Sequence, residues 1–430
     1  MKLSHIFSSL FALTLLCAAA SAQRGSVGLR VKRLPEPQAN LYPSGFGVDS
    51  PRAESMAAGE RPAILLTGYW PPTNHMLREF STSTTQNPDG WIGSDWEGRG
   101  YDVYSYFAEF TGGGLGQGTG DLEVDYQDTS ADFWPIADGH QPIAIVTFSR
   151  SYAPNSDWEV ERVNRNHQEW VDDFTPPLRP TPEPPDASVP PGYIRYCTLP
   201  MQDIVDAIDV MNIPNTTAWI DMTGGGGGYL SEFIGYHGVW YQSLHFNMND
   251  PAWCVAAGHV HVGGGSSLFR AKKVSKQVLR AVIRHVDDVL GVSGGPTEWF
   301  CPTQGTSETT GAVLTSRGSY SLSQNDLELY TLFNPSGEFG IAFCGASQTQ
   351  GNPFGDGQLC VQGPHYRFGP PVISSAENEL LFPLDSTQQA HGFSQITPGS
   401  TWNFQLWFRD NASTGAGHNL SSALGITFAP

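Results

Sequence analysis

The residues of this 430-residue chain best suited to chemistry are a serine behind a glycine run and a His-x-His thirty residues on. The run is Met222-Thr-Gly-Gly-Gly-Gly-Gly-Tyr-Leu-Ser231, and the second segment is His259-Val-His261-Val262. Glycines that empty into a helix start let backbone N–H groups converge beside an exposed hydroxyl, which suits a nucleophile and the oxyanion it generates. Histidine supplies a base of suitable pKa. A carboxylate to orient that base is available at Glu161, in Trp158-Glu-Val-Glu161-Arg162, unless it pairs with Arg162 or Arg165 instead. Ser231, His261 and Glu161 then form a chemically complete nucleophile, base and acid set. His259 and His261, two apart on a strand, share a face and could take a metal with His237 or His245. No carboxylate has diagnostic spacing for that, so no metal ligand is assigned. No Lys-Ser/Thr follows the glycines, so the run is not a phosphate loop.

Those residues must be positioned by an alternating α/β scaffold. Ala63–Thr67, Pro142–Phe148, Thr217–Asp221 and Ala257–Val262 are short apolar runs of the kind that form buried parallel strands. Met201–Met211 carries Ile204, Val205, Ile208 and Met211 on one helical face. The spacing of Val274, Val278, Val282, Val286 and Val289 predicts a helix over 268–290, ended by Gly291. The expected fold is a mostly parallel sheet with helices on both faces over 61–291. Residues 23–60 read as a leader or linker, and 292–300 as a second linker. Residues 301–430 alternate at period two, as in Leu327–Phe333 and Trp402–Phe408, which predicts an antiparallel β-sandwich. That part resembles C-terminal β modules of some secreted bacterial proteins.

Four segments, in order, resemble the pyroglutamyl-peptidase I (pyrrolidone-carboxylate peptidase) family. Leu65-Leu-Thr-Gly-Tyr69-Trp-Pro71 is similar to its opening strand and Thr-Gly-Phe-x-Pro loop, and Glu161-Arg162-Val-Asn-Arg-Asn166 to its Glu-Arg-x-Ala-x-Asn motif. Cys197-Thr-Leu-Pro200, Ile213-Pro214 and Gly228-Tyr-Leu-Ser231 follow its Thr-Leu-Pro, Gly-Ile-Pro and Ala-Gly-x-Tyr-Leu-Cys-Asn order. His259-Val-His261-Val262 is similar to Phe-Ile-His-Val-Pro. The resemblance implies catalysis by Glu161, Ser231 and His261, with serine standing where the family has cysteine. It implies substrate contacts at Tyr69, Pro72 and Gly228, and no metal or organic cofactor. Pro72-Thr-Asn74 replaces the family's Phe-Gly-Gly, and Val171 falls where the family has an arginine, so specificity for a pyroglutamyl ring does not follow.

Composition bounds the setting. Lys2, the apolar stretch Ile6–Cys17 and Ala20-Ser21-Ala22 make residues 1–22 a secretory signal peptide. The expected location is secreted, periplasmic or at the cell surface. Without those residues the chain holds 22 basic against 42 acidic residues, a net charge of −20, which repels nucleic acid and anionic membranes. No other apolar run is long enough for a membrane span. Five cysteines remain, an odd number, with Cys344 and Cys360 the first expected pair. The expected function is a hydrolase of amide or ester bonds with a peptide or small amide/ester substrate. The alternative is a catalytically inactive family member acting as an extracellular binding or surface protein, with surface or glycan contact through the C-terminal module.

Overall fold

The structure, a computed structural model, describes residues 29–34, 42–112, 114–152, 154–224, 227–292, 294–308, 310–385, 396–412 and 415–430. The expected signal peptide lies outside the described residues. In chain order the first part comprises β1 (Arg30–Val31), α1 (Pro51–Ala57), β2 (Ala63–Tyr69), α2 (Thr73–Met76), β3 (Asp102–Tyr106) and α3 (Tyr126–His140). Then come β4 (Ala144–Ser151), β5 (Trp158–Glu161), β6 (Val163–Arg165), β7 (Ile194–Tyr196) and α4 (Met201–Asp209). β8 (Ala218–Asp221), α5 (Leu230–Leu244), β9 (Ala256–Gly263) and α6 (Leu268–Leu290) complete it.

One seven-stranded sheet runs β1-β8-β5-β9-β4-β2-β3. Four of its six pairings are parallel; β5 meets β9 antiparallel, as β1 meets β8. The strand period of two divides its residues between two cores. Ile64, Leu66, Val146, Phe148, Val260 and Val262 face a core shared with α4 and α6. Leu65, Tyr69, Ile145 and Ala257 face the opposite core, beneath α3 and α5. This is the mostly parallel sheet covered on both faces that the apolar runs require.

α6 spans the expected residues, and its C-cap is Gly291 at φ 68°, a left-handed position that glycine adopts without a Cβ penalty. Ser267 caps its other end, accepting from Arg270 N. Two expected linkers are structured instead. Ser50 accepts from Ala53 N and Pro51 opens α1, so the 23–60 segment carries a capped helix as well as edge strand β1. Gly295–Phe300, expected within a linker, is a strand pairing antiparallel with Ala423–Thr427.

The C-terminal part is antiparallel, with a six-stranded sheet facing a three-stranded one. Leu314, Leu329 and Phe382 of the smaller sheet meet Phe404, Leu406 and Leu424 of the larger, forming the sandwich core. Alternate residues of the smaller sheet, Val313, Tyr330 and Leu332, turn outward and join the α6 core. Cys360 pairs with Cys301, across 59 residues, and not with Cys344. Cys344 sits on a strand facing the sandwich core and is free, as are Cys197 and Cys254; all three are buried.

Candidate active site

Strand registers line up the polar residues before any side chain is considered. β4 and β9 pair Thr147 with His259 and Ser149 with His261. β5 and β9 pair Glu161 with His259 and Glu159 with His261. Residues directly opposite one another share a sheet face, so all six point to the side covered by α3 and α5. Gly235 of α5 makes that approach possible: a Cβ there would lie 3.0 Å from His259 Cβ.

Five of those side chains, all but Glu159, form one continuous hydrogen-bonded chain. Glu161 Oε1 lies 2.7 Å from His261 Nε2, and Glu161 Oε2 accepts from Asn164 Nδ2 at 2.7 Å. His261 Nδ1 is 3.0 Å from Ser149 Oγ, which is 2.8 Å from His259 Nε2. His259 Nδ1 is 2.7 Å from Thr147 Oγ1, which also donates to Gly258 O at 3.2 Å. Glu161, His259, Ser149 and Thr147 are fully buried, and His261 is 8% exposed. Burial makes each unmade bond expensive, and here every imidazole nitrogen has a partner.

The proton affinities of the two histidines are pulled in opposite directions. Burial lowers the His259 pKa well below the ordinary value, and the neighbouring His261 lowers it further, so His259 is neutral. Burial acts on His261 in the same direction, but the charge and hydrogen bond of Glu161, aided by Glu159 and Asp221, outweigh it and leave the pKa raised. Glu159 is itself pushed up by burial, countered by His261 and by its ion pair with Arg30. Two imidazoles with ring centroids 4.7 Å apart are thereby driven apart in proton affinity, the pattern that separates acid and base roles.

Ser231 occupies the first turn of α5, after Tyr229 at the N-cap, and is 7% exposed. α5 runs antiparallel to β9: Gly235 lies over His259, while Gly238 lies over Ile145 and Thr147. Ser231, one turn before Gly235, is about 6 Å further along the helix axis, in the direction in which β9 runs from His259 to His261. Ser231 makes no side-chain hydrogen bond among the described residues, and the hydroxyl on His261 Nδ1 is Ser149. The N–H groups of Leu230, Ser231 and Glu232 precede the first intrahelical bond, from Phe233 N to Tyr229 O at 3.0 Å. They sit at the positive end of the helix dipole. Buried Glu232 fixes the loops there, accepting from Arg165 N and Gly228 N at 3.0 and 3.1 Å and meeting His167 Nε2 at 2.8 Å.

The three expected substrate contacts fare differently. Gly228, at φ 78°, has its N–H committed to Glu232 and its carbonyl to Val171 N and Tyr126 Oη, so it is a structural turn. Tyr69 is fully buried, with its hydroxyl bonded to Thr129, and so belongs to the core beneath α3. Pro72 is buried at the start of α2 and follows a cis peptide bond. Neither Tyr69 nor Pro72 offers a solvent-facing surface. The Pro-rich segment 175–192 is pinned beside α5, because buried Asp186 accepts from Arg195 Nη2 at 2.6 Å and Tyr236 Oη at 3.0 Å.

Glu161, His259 and His261 also bring three potential ligand atoms within 4.8 Å of one another. Sequence spacing did not reveal this, because Glu161 joins the histidines through an antiparallel strand pairing. A cation there would have to displace Glu161 from His261 and Ser149 from His259, so the trio is a hydrogen-bonded chain in this state. A cavity of about 470 Å³ lies elsewhere, between α6 and the β-sandwich, lined by Lys272, Arg280, Arg317 and Tyr330 among others. It contains none of the expected site residues. Ser149 was missed by sequence reasoning because the apolar run was ended at Phe148; the alternation Thr147, Ser149, Ser151 was its signal.

No family model matches the chain, and no curated protein matches it. Among solved structures the chain is similar to the pyrrolidone carboxyl peptidase of Thermococcus litoralis, with 15% identity and a TM-score of 0.36 over 53% of this chain and 95% of that one. It is similar to Bacillus amyloliquefaciens pyroglutamyl peptidase I, with 15% identity and a TM-score of 0.35 over 53% of this chain and 100% of that one. It is likewise similar to the pyrrolidone carboxyl peptidase of Pyrococcus furiosus, at 14% identity, a TM-score of 0.36, and coverage of 52% and 99%. The similarity covers about half of the chain and concerns its fold alone.

Proposed function

We propose that the chain is a hydrolase of amide or ester bonds in peptides or small amides and esters, with Ser231 as nucleophile. The observation that carries the reading is the buried Glu161–His261 pair at 2.7 Å, on the sheet face covered by the helix whose first turn bears Ser231. In this reading Ser231 Oγ attacks the substrate carbonyl carbon and its proton passes to His261 Nδ1, the ring nitrogen turned away from Glu161. The N–H groups of the first α5 turn hold the oxyanion. Collapse breaks the bond to the leaving amine or alcohol, which takes the proton from Nδ1, and water then hydrolyses the acyl-serine by the same steps in reverse roles. Glu161 keeps Nε2 protonated and balances the imidazolium charge.

The chain is proposed to act outside the cell, a setting in which the Cys301–Cys360 disulfide persists. No helix of the described residues is long and apolar enough to cross a membrane. The test is turnover by the purified chain on pyroglutamyl, aminoacyl and small ester chromogenic substrates, with Ser231→Ala as control. Activity that disappears in Ser231→Ala supports the enzyme. A second reading, a silent binding protein on this fold, draws on one observation: Ser149, not Ser231, occupies His261 Nδ1. Absence of turnover on all three substrate classes would favour it.

A further inference from the structure

The polar chain has a direction that follows from counting protons. Thr147 has a single hydroxyl proton, and a carbonyl can only accept, so that proton goes to Gly258 O. Thr147 Oγ1 then accepts from His259 Nδ1–H. Neutral His259 is left with a lone pair on Nε2, which accepts the one proton of Ser149. Ser149 Oγ therefore accepts from His261 Nδ1–H, while His261 Nε2–H donates to Glu161. His261 carries two protons and His259 one.

We propose that Ser149 is a proton relay between His261 and His259, making His259 a second, buried base coupled to the site. The step balances without any other reactant. His261 Nδ1 gives its proton to Ser149 Oγ as the Ser149 proton passes to His259 Nε2. His261 is left neutral with a lone pair on Nδ1, and His259 becomes the imidazolium, donating to Thr147 and Ser149. One positive charge moves between the rings, and no heavy atom has to travel. The relay leaves Nδ1 unprotonated without releasing a proton to solvent, and Nδ1 acts as a base once the Ser149 hydroxyl, which then donates to it, turns away. Its consequence for turnover rests on the hydrolase reading; the sharing of the proton does not.

The charged groups that act on this equilibrium are on neighbouring elements: Glu159 and Glu161 on β5, Asp221 on β8 and Arg30 on β1. On α5, Glu232 is turned to His167 and Arg165. The carboxylates on β5 and β8 favour charge on His261, so His259 takes the smaller share.

The test is ¹⁵N NMR of the full-length mature chain labelled at histidine, with the two rings assigned through His259→Gln and His261→Gln. In the wild type, the nitrogens of both rings should move through one common midpoint as pH is varied, because interacting sites titrate as a pair. In Ser149→Ala only His261 should move at its midpoint, and Ser149→Thr, which keeps the hydroxyl, should restore the common midpoint. Nitrogen shifts of His259 that stay flat through the wild-type titration of His261 would overturn the relay. So would co-titration that persists unchanged in Ser149→Ala. If Ser149→Ala does not fold, the wild-type titration alone decides. A common midpoint in a chain without turnover would sustain the relay and defeat the hydrolase reading, and the reverse outcome would do the opposite.

Discussion

Of the buried carboxylate–cation pairs among the described residues, two, one on each side of the sheet, are built for different ends. At the seam between α6 and the β-sandwich, Arg280 donates to both oxygens of Glu97, at 2.9 and 2.6 Å, and to Gln277 Oε1 at 3.1 Å. Tyr330 accepts from Arg280 and donates to Glu97 at 2.6 Å. At the site, Glu161 holds His261, and the chain continues through Ser149 and His259. Arginine stays charged throughout the physiological range and its fork is satisfied on every side, so the seam has one state. Histidine titrates, and its second nitrogen ends on a hydroxyl that can turn round, so the site has two. Permanent charge locks two parts of the chain together, whereas titratable charge leaves a proton to move.

Breaking the site should have the largest effect on chemistry. Glu161→Gln should lower turnover about 10⁴-fold, because an amide cannot hold the tautomer or balance the imidazolium charge. Steady-state kinetics on the best chromogenic substrate measures this, and a loss under tenfold would remove Glu161 from the mechanism.

Breaking the seam should act on stability and leave the chemistry alone. Arg280→Met leaves Glu97 buried without its cation and should cost about 3–5 kcal/mol in denaturant unfolding. Activity per folded molecule should stay the same. A loss below about 1 kcal/mol would mean that water reaches Glu97 once the guanidinium is gone. Reducing the Cys301–Cys360 disulfide should cost about 2–4 kcal/mol, because it releases a long loop, and it should act on the β-sandwich without lowering turnover.

The smallest and sharpest contrast is in pH. His261 has a raised pKa in the fold, so its contribution is complete below the unfolded value of about 6.5 and is lost as pH rises through the folded value. His259 has a depressed pKa, so stability falls as pH drops below about 6.5, where the unfolded chain takes a proton that the fold refuses. Burial raises Glu97, but Arg280, Arg99 and Tyr330 together lower it more, so the net value lies below the ordinary one and the seam weakens only in acid, as pH falls through that value. Urea unfolding across pH 5–9 should therefore show slopes of opposite sign on the two sides of neutrality. His259→Gln should shrink the acid-side slope near pH 6, the remainder coming from His237 and His285, whose pKa values burial also lowers, and Arg280→Met should leave both slopes unchanged. An acid-side slope identical in His259→Gln and the wild type would mean that the fold does not exclude a proton from His259.

Much of this was legible because period and caps are local. The valines of α6, with Gly291 beyond them, fixed that helix to the residue, and the apolar runs fixed four strands of the sheet. Glu161 and His261 were legible as a pair of residue types, and the sheet supplies their contact. Non-local facts were not legible. That β5 runs against β9, and so sets Glu161 opposite His259, depends on pairing and not on composition. Ser149 was hidden because its strand begins as a plain apolar run. Gly295–Phe300 looked like a linker because its strand character comes from its partner, Ala423–Thr427. Cys301 is the partner of Cys360 through the same kind of long-range pairing, while Cys344 points into an apolar core.

The central claim is that Ser231 is the nucleophile served by His261 and Glu161. It is tested most directly by treating the folded chain with a serine-directed fluorophosphonate and mapping the adduct by peptide mass spectrometry. One adduct should form, on Ser231, absent in Ser231→Ala and strongly slowed in Glu161→Gln. No adduct on the folded wild-type chain, or an adduct on Ser149 in its place, would contradict it.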